Sequence, residues 1–143
     1  PLLFDEDVNV STLAKLIERV EELNSPSVVK VVFDYKNFAL YFSRSPIPFV
    51  RDAVNDKEML EKADIYKHIG LYVYRKEYLL KFTQLAPTDL EQWEKLEQLR
   101  MLENGFKIKI VETEYDSFSV DTPEDLEKAR KIYSKLKKIE LAK

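Results

Sequence analysis

Glycine is the scarce residue of this chain. Gly70 and Gly105 are the only two among 143 residues, where ordinary usage of about 7% would supply roughly ten. A loop that cradles phosphate with its backbone N–H groups needs glycines clustered ahead of a helix, and two isolated glycines build no such loop. Other counts narrow the chemistry further. There is no cysteine, which excludes a disulfide framework, a thiolate metal site and a cysteine nucleophile together. His68 is the single histidine, so a multi-histidine metal site is excluded within these residues. With 23 basic against 26 acidic side chains and a net charge of −3, the chain lacks the basic excess of a nucleic-acid binder. An apolar content of 45% predicts a packed core in a single domain. No apolar run approaches the roughly 18 residues of a membrane span, and no leader pattern follows Pro1, so the expectation is a cytoplasmic protein without membrane contact.

Residues 8–13 (VNVSTL) alternate as a strand, and Leu16, Ile17, Val20 and Leu23 have helical spacing up to Asn24-Ser25-Pro26. The β-branched run 28–33 (VVKVVF) predicts a buried strand broken only by Lys30. A turn at Asp34–Asn37 leads to 38–42 (FALYF), giving a hairpin, and Pro46 and Pro48 then impose a rigid extended connector. Residues 52–64 read as a loop or a marginal helix, 66–74 (YKHIGLYVY) as a second strong strand, and 76–82 as a short helix. The clearest helix is predicted over 89–102, opened by the T-x-x-E capping box of Thr88 and Glu91 and stopped by Asn104-Gly105. Residues 107–111 (KIKIV) form a further strand, and Thr122-Pro123-Glu124-Asp125 starts a last helix. Strands and helices mixed in this way predict an α/β sheet protein, and the hairpin makes the sheet mixed rather than parallel.

Four places could carry chemistry, and each has a plainer reading. Asp121 precedes a helix start, where a carboxylate can hold Mg²⁺ beside substrate phosphates or simply face the helix dipole. His68 lies mid-strand, two residues before Gly70, and alternation puts His68, Gly70 and Tyr72 on one face. A glycine there marks a bulge or a close approach, while the histidine could equally be a hydrogen-bonded structural residue. Glu97 and Gln98 interrupt the stripe of Leu90, Trp93 and Leu96, so Glu97 either projects beside that stripe or sits in solvent. Arg44 offers a planar donor fork on a stiff backbone, suited to a carboxylate, or is an ordinary surface arginine.

The order of blocks decides between these readings. ALYFSRSPIP, YKHIGLYVYR, LEQWEKLEQLR and VDTPEDL occur in that sequence, and together they resemble the 3-deoxy-manno-octulosonate (Kdo) cytidylyltransferases. STLA, NSPSVVKVVFD and KIY fit the same pattern, so the resemblance covers roughly residues 8 to 135. It implies the carboxyl-terminal part of a Rossmann-like nucleotidyltransferase fold with a mixed sheet. It also implies transfer of CMP from CTP to the anomeric hydroxyl of Kdo, with Mg²⁺ and release of pyrophosphate, by a cytoplasmic homodimer serving lipopolysaccharide assembly. Matched by motif, Asp121 looks like a metal-binding and catalytic aspartate, and Arg44, His68, Tyr72, Glu97 and Gln98 look like the set that binds the sugar acid.

Two family motifs are absent from these 143 residues: the glycine- and arginine-containing loop after the first strand, and the G-D-E-P aspartate. The expectation is therefore a sugar-binding and dimerising portion, with the amino-terminal nucleotide-binding half missing, that holds Mg²⁺ poorly and does not turn over by itself. Ser119 also stands where the family usually has glycine. Related readings are a cytidylyltransferase for an 8-amino Kdo or a sialic-acid-like substrate, and a non-enzymatic sugar-binding or dimerisation module.

Overall fold

A computed structural model of the chain describes residues 1–3 and 5–115, together with Pro123, Leu126, Glu127, Ala129, Arg130, Lys131, Tyr133 and Ser134. Among the described residues five strands form one sheet: β1 (Val10–Leu16), β2 (Lys30–Phe33), β3 (Ala39–Ser43), β4 (Tyr66–Tyr74) and β5 (Ile108–Glu112), in the order β3-β2-β4-β1-β5. The sheet is mixed, as the hairpin predicts. β4 runs antiparallel to both β1 and β2, and β1 pairs parallel with β5. Helices α1 (Val20–Asn24), α2 (Asp56–Lys62), α3 (Lys76–Thr83), α4 (Asp89–Glu94) and α5 (Gln98–Glu103) fill the connections.

The main core joins the sheet to α4 and α5. Val10, Ala14, Val31, Phe42, Ile108 and Ile110 pack with Leu96, Leu99 and Met101, which is the apolar burial that holds α4 and α5 against the strands. A smaller cluster of Ile17, Leu23 and Ile65 seats α1 and α2. β1 runs further than its alternation predicts, because Leu13 to Leu16 continue the ladder with β4, and Leu13 and Ala14 also pair with β5. The pairing of Leu16 with Tyr66 and the bond from the Ile17 N–H to Ile65 O at 2.8 Å override the helical spacing of these two residues, and α1 is left with five residues.

The hairpin β2–β3 turns at Asp34–Asn37. The Asp34 carboxylate accepts from the Lys36 and Phe38 backbone N–H groups at 2.8 and 2.9 Å, and Asn37 takes the left-handed conformation with φ 58°. The sheet curls enough for this turn to reach the opposite edge: Phe38 bridges Lys109, and the Ile110 N–H donates to Asn37 O at 2.7 Å. The connector after β3 contains a cis Ile47–Pro48 bond.

A second predicted element is corrected. The helix expected over 89–102 is two helices, because Lys95 sits in the left-handed region at φ 54°, ψ 49° and ends α4. The break turns Leu96 into the core at 6% exposure and leaves Trp93 outside at 74%, so Leu90, Trp93 and Leu96 do not share a face. The carboxyl end of α4 exposes carbonyls that need donors, and Arg44, just after β3, supplies them. Its Nε donates to Glu94 O at 2.7 Å and its guanidinium to Lys95 O at 3.2 Å. The capped start and the glycine stop of this region are as predicted: Glu91 accepts from the Thr88 N–H at 3.2 Å, and Gly105 has φ 76°.

Asp121, Ser119 and the Thr122 cap lie outside the described residues. The described positions from Pro123 to Ser134 are all helical, in line with the last predicted helix. Among the described residues no helix is long and apolar enough to cross a membrane.

Candidate functional site: an aromatic row on the fourth strand

β4 carries an irregularity where the sequence places its glycine. Thr12 pairs with Tyr72 and Leu13 with Ile69, so Gly70 and Leu71 are extra residues on β4, a bulge of the kind glycine permits. Because the insertion is two residues long, His68 and Tyr72 still emerge on the same side, with ring centroids 5.4 Å apart. They belong to a continuous row. Phe42 meets His68 edge-on at 5.0 Å, Tyr72 stacks on Tyr74 at 5.6 Å, and Tyr74 lies parallel to Phe82 at 6.3 Å. Arg100 then covers Phe82 at 5.3 Å, a cation over an aromatic face.

Polar groups are set along this row. The Thr12 hydroxyl lies 2.9 Å from His68 Nε2 and also within 3.1 Å of Ile69 O and 3.0 Å of Leu71 O. Burial pushes the His68 imidazole down to about 4, so the ring is neutral at pH 7. The Tyr72 hydroxyl is buried without a hydrogen-bond partner. Burial, reinforced by Tyr74 and Glu97 and only partly offset by the nearby Thr12 hydroxyl, raises that phenol far above its ordinary value, and Tyr74 is raised by burial and then by Glu97. Both phenols therefore remain protonated donors, and Glu97 is close enough to act on each electrostatically. A buried hydroxyl without a partner is costly in a finished core, and it is the group in this row most in need of a ligand.

The break between α4 and α5 forms the opposite wall. Glu97 precedes α5, and Gln98 is buried at 8% exposure in its first turn. Glu94 fastens this wall to β3: its carboxylate accepts from the Ser43 hydroxyl at 2.6 Å and from the Arg44 N–H at 3.0 Å. Behind it the Lys30 side chain is fully buried, and its ammonium donates to Ser25 O, Val28 O and Arg44 O at 3.1, 2.6 and 2.6 Å. Arg44 gives its third bond to Pro26 O at 2.7 Å. A guanidinium has five N–H donors, so three brace the backbone and two are uncommitted among the described residues.

The structure thus joins His68, Tyr72 and the field of Glu97 in one place, and ties Arg44 and the start of α5 to the same wall. Asp121 lies outside the described residues, and among those described no three acidic or histidine side chains gather to hold a metal ion. Sequence reading missed Thr12, Tyr74, Lys30 and Glu94. Two of these carried a signal: Thr12 shares its parity with the core residues Val10 and Ala14, and Tyr74 shares that of Tyr72.

An open mixed sheet flanked by helices, with its polar aromatic row facing a helix break, is an α/β architecture of the nucleotidyltransferase kind. A family model described as cytidylyltransferase matches residues 3–110, and the chain belongs to that family. The 3-deoxy-manno-octulosonate cytidylyltransferase of Geotalea uraniireducens (strain Rf4) is 53% identical over 142 residues, covering 96% of this chain and 55% of that protein. The enzyme of the same name from Geobacter sulfurreducens is 50% identical over 141 residues, covering 96% and 55%. Among solved structures, CMP:2-keto-3-deoxy-manno-octonic acid synthetase complexed with CTP matches at 40% identity with a TM-score of 0.83, covering 94% of this chain and 52% of that one. The chain spans about half the length of the relatives it matches.

Proposed function

We propose that this chain is the sugar-acid-binding portion of a CTP-dependent cytidylyltransferase that forms CMP-Kdo from CTP and Kdo. The observation that carries the reading is the His68–Tyr72 row beside Glu97, a ring of neutral donors and acceptors on aromatic surface, which suits a polyhydroxylated acid. The names of the relatives point to the same substrate. In this reading Tyr72 donates from its unpartnered hydroxyl, His68 and Gln98 bond sugar hydroxyls, and Glu97 accepts from a further hydroxyl. The two uncommitted N–H groups of Arg44 meet the carboxylate. Held this way, the anomeric hydroxyl oxygen attacks the α-phosphorus of CTP, forming the O–P bond as the bond to pyrophosphate breaks, and the hydroxyl proton leaves to solvent.

The chain's own described residues bind and orient; they do not hold an ion. We assign Asp121 of VDTPED as one carboxylate ligand of a divalent cation, with Mg²⁺ the preferred ion beside phosphate oxygens. Such an ion supplies charge neutralisation at the transferring phosphoryl group. The nucleotide-binding half is assigned to sequence outside these residues, with a cytoplasmic homodimer as the working assembly. The test is pyrophosphate release with CTP, Kdo and Mg²⁺. Kdo-dependent release by full-length enzyme, with the 143-residue chain binding Kdo but releasing none, is the expected result. Turnover by the 143-residue chain alone, or no Kdo binding to it, overturns the assignment of roles.

A further inference from the structure

Beside the Tyr72 phenol, Thr12 faces three further polar partners with one proton to give. Two of them, Ile69 O at 3.1 Å and Leu71 O at 3.0 Å, are the carbonyls that flank the bulge, and a carbonyl can only accept. The third, His68 Nε2 at 2.9 Å, can either donate or accept. The arrangement satisfies most groups when the hydroxyl donates to a carbonyl and accepts from Nε2–H. In a neutral imidazole that leaves Nδ1 as the bare acceptor, and no described residue hydrogen-bonds to it.

We propose that Thr12 is a positioning residue that holds His68 as the Nε2–H tautomer, so that Nδ1 presents a lone pair to the sugar site and takes a hydroxyl of the ligand rather than its carboxylate. This rests on the reading of the row as the sugar-acid site. The neutral state of the ring agrees with its burial against Phe42. The division of labour follows from charge. A lone pair repels a carboxylate, so the acid group of the ligand must be met elsewhere in the site, and the open N–H groups of Arg44 are suited to it.

His68 is the sole histidine of the chain, so a long-range ¹⁵N–¹H NMR spectrum of the 143-residue protein reports one ring. At pH 7 and without sugar, the expected spectrum has a protonated, pyrrole-type Nε2 and an unprotonated, pyridine-type Nδ1. Thr12→Val should shift the ring toward mixed tautomers and weaken Kdo binding about fivefold, the loss of one hydrogen bond's net contribution. Thr12→Ser, which keeps the hydroxyl, should restore both. An Nδ1–H ring in the wild type overturns the proposal, as does an unchanged spectrum in Thr12→Val. Unaltered Kdo affinity in Thr12→Val, with the tautomer shifted, overturns its ligand half. Should Thr12→Val not fold, the wild-type and Thr12→Ser spectra still decide the tautomer. Failure of the wild-type chain to bind Kdo strikes the sugar reading itself, while the sugar-free spectrum goes on to support or refute the Thr12–His68 pairing.

Discussion

Replacing His68 by glutamine should change how the stability of this protein responds to acid. In the folded chain the ring is desolvated against Phe42 and Tyr72, and it protonates only near pH 4, while an unfolded histidine protonates near 6.5. Between those values the unfolded state binds a proton that the folded state refuses, so stability rises with pH across the window. Each pH unit of the window is worth about 1.4 kcal/mol, so acidifying from pH 7 to about 4 costs the wild type about 3 kcal/mol through this one ring. Above pH 6.5 the effect vanishes. Other groups also act in acid: the carboxylates of Glu22 and Glu91 have lowered pKa values, and their stabilisation is lost as pH falls through those values. They are common to both proteins, so the difference between wild type and His68→Gln isolates the ring. Urea denaturation at steps between about pH 4 and 7 measures that difference, and it should move by about 3 kcal/mol in favour of the variant as pH falls. A difference that stays flat within about 0.5 kcal/mol would refute the desolvated, neutral histidine, and with it the acceptor role given to Nδ1.

Other substitutions probe the frame around the site. Lys95→Gly relieves a left-handed non-glycine residue and should be neutral or stabilise by up to about 1 kcal/mol in thermal or urea unfolding; a loss beyond that would mean the Lys95 side chain itself holds the break. Lys30→Met removes the ammonium from three carbonyls and should cost at least about 2 kcal/mol, since bonds to a charged donor are worth about 1.5–3 kcal/mol each and their partners are left unmet. An equally stable Lys30→Met protein would show that those carbonyls find water instead. In full-length enzyme, Asp121→Ala should lose most Kdo-dependent pyrophosphate release while Kdo affinity measured by calorimetry changes little; a near-normal rate would end the metal assignment.

Local pattern carries much of this fold because several elements depend on neighbours in sequence. The hairpin turn at Asp34–Asn37 is made by one aspartate carboxylate and one left-handed asparagine. The start of α4 is made by Glu91 reaching back to Thr88. β4 matches its predicted bounds because a nine-residue run rich in aromatic and β-branched side chains leaves little else possible. The blocks that resemble the Kdo cytidylyltransferases pointed to His68, Tyr72 and Glu97 before any distance was known. What the pattern missed depends on partners remote in sequence. Leu16 reads as helical until Tyr66 pairs with it, and Trp93 reads as core until Lys95 turns the chain away. Nothing local foretells that turn, for the donors that close it come from Arg44, 50 residues earlier in the chain than Glu94.

The sequence by itself determined the class, the family and the residue types of the candidate site, because alternation, caps and ordered motifs are properties of the chain read in line. The tertiary structure alone decided how those residues are used. It buried Lys30 among three carbonyls, set Thr12 against His68 across a bulge, and left the Tyr72 hydroxyl without a partner. Desolvation and hydrogen-bond satisfaction are set by what packs around a group in three dimensions, so the charge state of His68 and the direction of its bonds exist only once the strands have paired.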